Sequence, residues 1–331
     1  MSRQRIEWLA LMRGLNIILV VMFHVQLIDM TTGENHAFCR IISEPFLPFR
    51  MPLFIFCSGG LLYLSRIHKQ WDIKQLYIDK TKRILIPLVF FVTFYYFFKL
   101  LMNPFTKTPV VFSIRNYFES FCIYYGHPSA HLWFLSVLFW MMLLYPLFRW
   151  LCENKVCMTV FLLLTMAIYF LNIDIPANKN YFFLFSLHKY LVFFFAGIYF
   201  FRFELIIYLK SVLSLVLTIV GYIICFIYEV PLLSSIMGIL CMISLSYQLA
   251  RFYPTLFSSF REYIYQIFLM SFIFQPFVEL VLWKKLFYNE QLFLVFYVLN
   301  VLSGIYLPVV ISKIVERSHY QWLKMCLGLK V

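Results

Sequence analysis

The stretch RGLNIILVVMFH, Arg13 to His24, decides how this chain is read. It lies in an apolar run from about Ile6 to Ile28, long enough to cross a bilayer as a helix, which takes roughly 20 residues. Yet the run holds an arginine and a histidine. A charged arginine deep in a spanning helix costs roughly 2.5–3.5 kcal/mol on insertion scales, so it is rarely left there without a partner or a water-filled cavity. Eleven positions separate Arg13 from His24. At about 100° and 1.5 Å per residue, that is three turns plus about 20°, and a rise of about 16 Å. One face of one helix then carries a fixed cation and a titratable base at two depths, which suits an elongated ligand with an anionic end and a reactive end. Two plainer readings stand beside this one. Arg13 can snorkel toward the interface, and His24 can be a satisfied histidine at the outer end of the helix.

The rest of the composition agrees with a membrane protein. Of 331 residues, 63% are hydrophobic and only 13% charged. Successive long apolar runs make the chain polytopic. The first run is not followed by a small-residue cleavage pattern, so it reads as a retained helix rather than a signal peptide. The net charge of +13 would suit nucleic acid, but the positive residues gather in short loops on one side, as membrane topology imposes, so no nucleic-acid partner is expected. The eight cysteines show no metal spacing, and no metal site is expected. Cys39 and Cys122 both fall in segments read as outside, where a disulfide is one option.

The expected fold is all-α, a single transmembrane domain over residues 1–331 with no appended soluble domain. Ten spans are expected: Ile6–Ile28, Phe46–Ser65, Ile84–Met102, Leu132–Leu151, Val156–Leu171, Phe183–Phe201, Leu205–Ile227, Leu232–Ala250, Tyr263–Trp283 and Leu292–Ile314. With both termini cytoplasmic, 18 of the 28 Lys and Arg residues fall inside and 8 outside, with Arg13 and Arg50 inside helices. The inner loop Arg66–Arg83 contributes most to that bias. The longest outer segment runs from Asn103 to His131, and its Tyr117–Tyr125 portion reads as an interfacial or re-entrant helix.

Three further strings carry candidate chemistry. The second span opens with Glu44, Pro45 and Pro48, then FRMPLFIFCSGG from Phe49. Arg50 in it needs an anion, a polar substrate or a water-lined cavity, and Glu44 is a candidate partner. The small run Ser58–Gly59–Gly60 lets a helix or a ligand approach closely, and helix packing alone accounts for the glycines. The inner loop ends KTKRILIP, with Lys82 and Arg83 suited either to anionic lipid headgroups or to a phosphate-rich cosubstrate. The fourth span opens HLWFL from His131, with Trp133 suited to an interface anchor; His127 and His131 fall on the same outer side as His24, where they line a shared cavity or stand as solvated loop residues. Glu279 is a lone acid toward the outer end of the ninth span, and the tenth span suggests nothing functional.

At these four strings the chain resembles the membrane-bound acyltransferase 3 family, the polysaccharide O-acyltransferases of bacterial envelopes. The family's arginine, ten residues and histidine fall on Arg13 and His24. FRMPLFIFCSGGLL is similar to the family's second motif, and KRILIP and HLWFL follow in order. Two positions depart from the pattern: Ala10, where many members have an acid, and Arg50, where many have histidine.

The resemblance implies an acyl-CoA cosubstrate, most often acetyl-CoA, entering from the cytoplasm, and no tightly bound cofactor. Lys82 and Arg83 would meet its phosphates, and Arg13 would contact it within the bundle. His24 would act as general base on a sugar hydroxyl. Arg50 or a backbone N–H would stabilise the oxyanion, with Glu44, Ser58, His131 and Trp133 as further acceptor-side candidates. The acceptor would be a cell-surface glycan or its lipid-linked precursor, and the setting the bacterial inner membrane, with its lipids as partners. The competing class is a transporter or flippase of lipid-linked glycans, in which buried arginines bind pyrophosphate and no coenzyme A binds.

Overall fold

The computed structural model describes residues 7–28, 34–105, 109–123, 126–171, 176 and 179–329. Ile6, Lys107, Tyr124 and Tyr125, which belong to segments named above, lie outside the described residues. The described chain is helical, and its one β-type pairing is an isolated antiparallel bridge between Ile28 and Asn35.

Six helical stretches among the described residues are long and apolar enough to cross a membrane: Ala37–Ile67, Ile73–Leu101, Tyr181–Arg202, Pro231–Phe252, Ile264–Leu286 and Glu290–Arg317. A seventh is the pair Ala130–Leu143 and Tyr145–Leu151, bent by 53°. Two shorter apolar helices are Lys155–Tyr169 and Val212–Ile227, and the helix Glu7–Phe23 has 17 residues. Each of the ten apolar runs is therefore helical, but six, or seven with the bent pair, meet the length of a span. The shortfall comes from helix ends. Turns and bends cut several runs short of the roughly 30 Å that a bilayer core demands.

The helices are α1 (Glu7–Phe23), α2 (Ala37–Ser43), α3 (Leu47–Leu62), α4 (Ile73–Lys80), α5 (Ile86–Leu101), α6 (Ile114–Cys122), α7 (Trp133–Leu143), α8 (Tyr145–Leu151), α9 (Lys155–Tyr169), α10 (Leu187–Arg202), α11 (Val212–Ile227), α12 (Pro231–Phe252), α13 (Ile264–Phe277), α14 (Phe293–Arg317) and α15 (Gln321–Cys326). They group into two compact units, Met1–Cys57 with Glu204–Ile314, and Ser58–Phe203 with Val315–Val331.

In the first unit, α1 stops earlier than the apolar run suggests. The helix ends at Phe23, His24 stands in a turn, and residues 25–28 leave the helical path. The backbone groups there are bonded elsewhere. The Gln26 N–H donates to Glu279 at 2.8 Å, the Leu27 carbonyl accepts the His36 N–H at 2.8 Å, and the Ile28 carbonyl accepts the Trp283 indole N–H at 2.8 Å. Buried backbone polar groups need partners, and tertiary partners here replace the helical ones. Val25, Leu27, Cys39, Val278, Trp283, Phe293, Phe296 and Tyr297 close over this stretch as an apolar cluster.

The prolines of α3 explain its neighbours. Pro52 has no N–H, so the Pro48 carbonyl four residues earlier loses its helical donor. Ser235 of α12 donates to that carbonyl at 2.6 Å, and the Tyr222 hydroxyl of α11 donates to the Pro45 carbonyl. Gly238 permits this approach, since a Cβ there would lie 2.3 Å from the Phe49 ring.

The second unit corrects the loop expected at Arg66–Arg83. Asp72 caps α4 by accepting from the N–H groups of Lys74 and Gln75, and α4 runs through a π-helical turn, Thr81–Leu85, into α5. The break between α7 and α8 falls where Pro146 stands in the first turn of α8, where its missing N–H interrupts the ladder. A short helix, α6, overlaps the expected Tyr117–Tyr125 segment over Tyr117–Cys122, with Ile114 and Phe118 exposed. All eight cysteines are free, so the disulfide option at Cys39 and Cys122 is not realised; Cys39 is buried in the apolar cluster of the first unit.

Candidate functional site

Arg13 lies in α1, and His24 lies in the turn just past its end. Arg13 is half-buried in the second turn, and its charge acts on the buried Cys57 thiol of α3. Ala10 leaves α1 without an acid one turn before Arg13, and the acid that α1 does carry, Glu7, pairs with Arg261 at 3.0 Å. Asn16 is fully buried between Arg13 and His24. Its amide N–H donates at 3.0 Å to the backbone carbonyl of Arg50, which fixes α1 against α3 at that level.

His24 sits one residue past the helix. Its N–H donates to the Val21 carbonyl at 3.1 Å, and Val25 donates to Met22 at 3.2 Å, so the last turn tightens from i−4 to i−3 bonding. The imidazole is held between rings. Its centroid lies 4.3 Å from that of Phe272 and 5.1 Å from that of Phe23, both edge-on. The Arg50 guanidinium lies over the face of the same Phe23 ring, 3.0 Å from its centroid. Phe23 thus carries a cation on its face and the candidate base at its side. Glu44 stands exposed in the single 3-10 turn, Glu44–Phe46, that leads into α3.

Glu279 is no isolated acid. Its Oε1 accepts from the Gln26 N–H and, at 3.2 Å, from the Asn300 side chain of α14. Gln275, one turn earlier, donates to the Val21 carbonyl at 2.9 Å. Sequence reasoning passed over Asn16, Gln275 and Asn300. The signal was there: an amide inside an apolar span is costly unless it is bonded.

The remaining candidates belong to the second unit. Ser58 is half-buried beside two glycines that pack helices tightly: a Cβ on Gly59 would fall 1.9 Å from the Phe194 carbonyl oxygen, and one on Gly60 2.4 Å from the Phe201 ring. Lys82 and Arg83 are exposed on the π-helical turn, not in a loop. Asp79 gathers the local cations: Arg83 at 2.9 Å, Arg66 at 3.1 Å and Lys80 at 3.8 Å. The Arg66 guanidinium also lies 3.3 Å from the Trp71 ring centroid. His131, in the 3-10 turn that opens α7, meets the Tyr95 ring edge-on at 4.4 Å. Trp133 stacks on Phe183 at 5.0 Å and lies 4.9 Å from Tyr190.

A family profile described as an acyltransferase domain matches residues 6–313. The chain belongs to the acyltransferase 3 family. That match takes in α1, α3, the π-helical turn at Lys82 and the opening of α7, so every string singled out in the sequence lies inside the acyltransferase domain. Membership makes the protein a membrane acyltransferase in general. Searches of curated proteins and of solved structures each returned no match.

Proposed function

We propose that this acyltransferase moves an acyl group, most often acetyl, from cytoplasmic acyl-CoA to a sugar hydroxyl of a cell-surface polysaccharide or its lipid-linked precursor. In this reading the ten apolar helices cross the inner membrane of a bacterium, with both termini on the cytoplasmic side. What carries the reading is one relationship: Arg13 lies in α1, and His24, eleven positions on, lies in the turn that ends it.

The chemistry follows from those groups. Lys82 and Arg83 offer cations to the phosphates of coenzyme A, and Arg13 holds the donor within the bundle. His24 takes the proton of the sugar hydroxyl as its oxygen attacks the thioester carbonyl carbon. The carbon–sulfur bond then breaks, and the imidazolium returns the proton to the departing thiolate. A positioned general base contributes about 10²–10⁴ in rate. In this reading the Arg50 guanidinium, which shares the Phe23 ring with the base, or a backbone N–H, stabilises the developing oxyanion.

The direct test uses inner-membrane vesicles with their cytoplasmic face outward, given radiolabelled acetyl-CoA. His24→Ala is expected to abolish glycan-bound label while keeping stabilisation by acetyl-CoA. Undiminished transfer by folded His24→Ala protein would end the general-base proposal. An absence of any acetyl-CoA stabilisation at saturation in the unmutated protein would favour a transporter.

A further inference from the structure

The turn that carries His24 lies outside the helical ladder, so α1 itself does not fix where the imidazole points. Its backbone is held from both sides by one neighbouring segment. Three residues before His24, the Val21 carbonyl accepts two donors, the His24 N–H at 3.1 Å and the Gln275 amide at 2.9 Å. Two residues after it, the Gln26 N–H donates to Glu279 Oε1 at 2.8 Å. Gln275 and Glu279 are four residues apart, across the junction where α13 passes into the π-helical stretch Val278–Leu286. Phe272, three residues earlier, sets its ring against the imidazole.

A third helix braces this pair. Asn300 of α14 donates to Glu279 Oε1 at 3.2 Å and approaches the Gln275 carbonyl at 3.4 Å. Gly304, one turn on, leaves the space that Gln275 fills: a Cβ there would lie 2.9 Å from Val21 Cγ1 and 3.1 Å from Gln275 Cδ. Gln275 and Asn300 are buried to within 1% of full burial. Their amide orientations are set by bonds to carbonyl or carboxylate oxygens, which can only accept.

We infer that Gln275 and Glu279, braced by Asn300 and Gly304, form a clamp that positions His24 for proton transfer. They are positioning residues that act through the backbone on either side of the base and do not themselves touch the substrate. The inference rests on the general-base reading of His24 given above. A base displaced by about 1 Å can lose about 10²-fold in rate, so the clamp acts on turnover and not on donor binding.

The test measures acetyl transfer from radiolabelled acetyl-CoA to endogenous glycan in the same vesicles. Glu279→Ala removes the acceptor for the Gln26 N–H, and Gln275→Met removes the donor to Val21 at nearly constant volume. Each is expected to lower kcat about 10- to 100-fold, with KM for acetyl-CoA within about twofold of the unmutated protein. Glu279→Gln keeps an oxygen at the same place and is expected to restore most of the lost turnover. Gln275→Met keeps the proposal testable if Glu279→Ala does not fold. The clamp is overturned if Gln275→Met, or a folded Glu279→Ala, turns over at the unmutated rate, if the loss appears in KM alone, or if Glu279→Gln is as damaging as Glu279→Ala. His24→Ala, run beside them, separates the two failures. If it retains transfer, the general-base reading falls; if it is inactive while the clamp variants are normal, only the clamp falls.

Discussion

The guanidinium of Arg50 lies 3.0 Å from the centroid of the Phe23 ring, whose other neighbour is the imidazole of His24. A cation over an aromatic face is worth about 0.5–2 kcal/mol, more when desolvated, and here it sets the distance between a positive charge and the candidate base. Arg50→Ala is expected to reduce kcat for acetyl transfer by about 10²–10³, the usual loss of an oxyanion-stabilising donor. Arg50→Lys is expected to recover only part of this, because an ammonium lacks the planar fork that stacks on the ring. Equal activity of Arg50→Ala and the unmutated protein would remove Arg50 from the chemistry.

In the proposed function Arg13 contacts the acyl donor. Arg13→Ala is expected to raise KM for acetyl-CoA about 10- to 100-fold, the cost of one charge-assisted hydrogen bond, and to erase the thermal stabilisation that acetyl-CoA gives. Unchanged stabilisation would place the donor elsewhere.

The cations near α5 are organised by Asp79, which holds Arg66 and Arg83 within 3.1 Å. Lys82→Ala together with Arg83→Ala is expected to weaken acetyl-CoA, with a smaller effect on acetylpantetheine, which lacks the nucleotide phosphates. Equal weakening for both donors would assign these cations to lipid headgroups or to folding.

Gly59 stands where the Phe194 carbonyl approaches, leaving no room for a methyl group. Gly59→Ala is expected to destabilise the second unit by about 1–3 kcal/mol through backbone displacement. Thermal unfolding of the detergent-solubilised protein checks this, and an unchanged midpoint would contradict the close packing.

Burial holds the His127 imidazole below its ordinary value, against the opposing pull of Glu119. The fold therefore favours neutral His127. The stability this contributes is present above the ordinary imidazole range, about 6.5, and is lost as pH falls through the lowered value. Melting temperature is expected to drop as pH falls below about 6.5, and less so in His127→Gln. An identical drop in both proteins would assign the acid sensitivity to other groups.

Much of this protein was legible in the residues alone. The ten apolar runs are all helical, because a long apolar run forms a helix that satisfies its own backbone in lipid. The Arg13–His24 spacing drew attention to the first helix, which forms over Glu7–Phe23. The loop expected at Arg66–Arg83 failed because Asp72, a good cap, and a run of helix formers continue the helix through the charges. The end of the first helix was also misplaced. VVMFHVQLI holds no glycine or proline to stop it; it stops because Glu279, His36 and Trp283 bond its backbone from elsewhere in the chain.

Hydropathy and helical period are local properties, so the residues alone marked this as a helical membrane protein and singled out Arg13 and His24, one in α1 and one in the turn that ends it. What surrounds them came from the packing of distant helices: Arg50 on Phe23, Asn16 on the Arg50 carbonyl, and Gln275 with Glu279 bonding the backbone on either side of His24. Those partners lie up to 254 positions apart along the chain. Hydrogen bonds and ring contacts over such separations depend on how helices pack, and no local pattern encodes that.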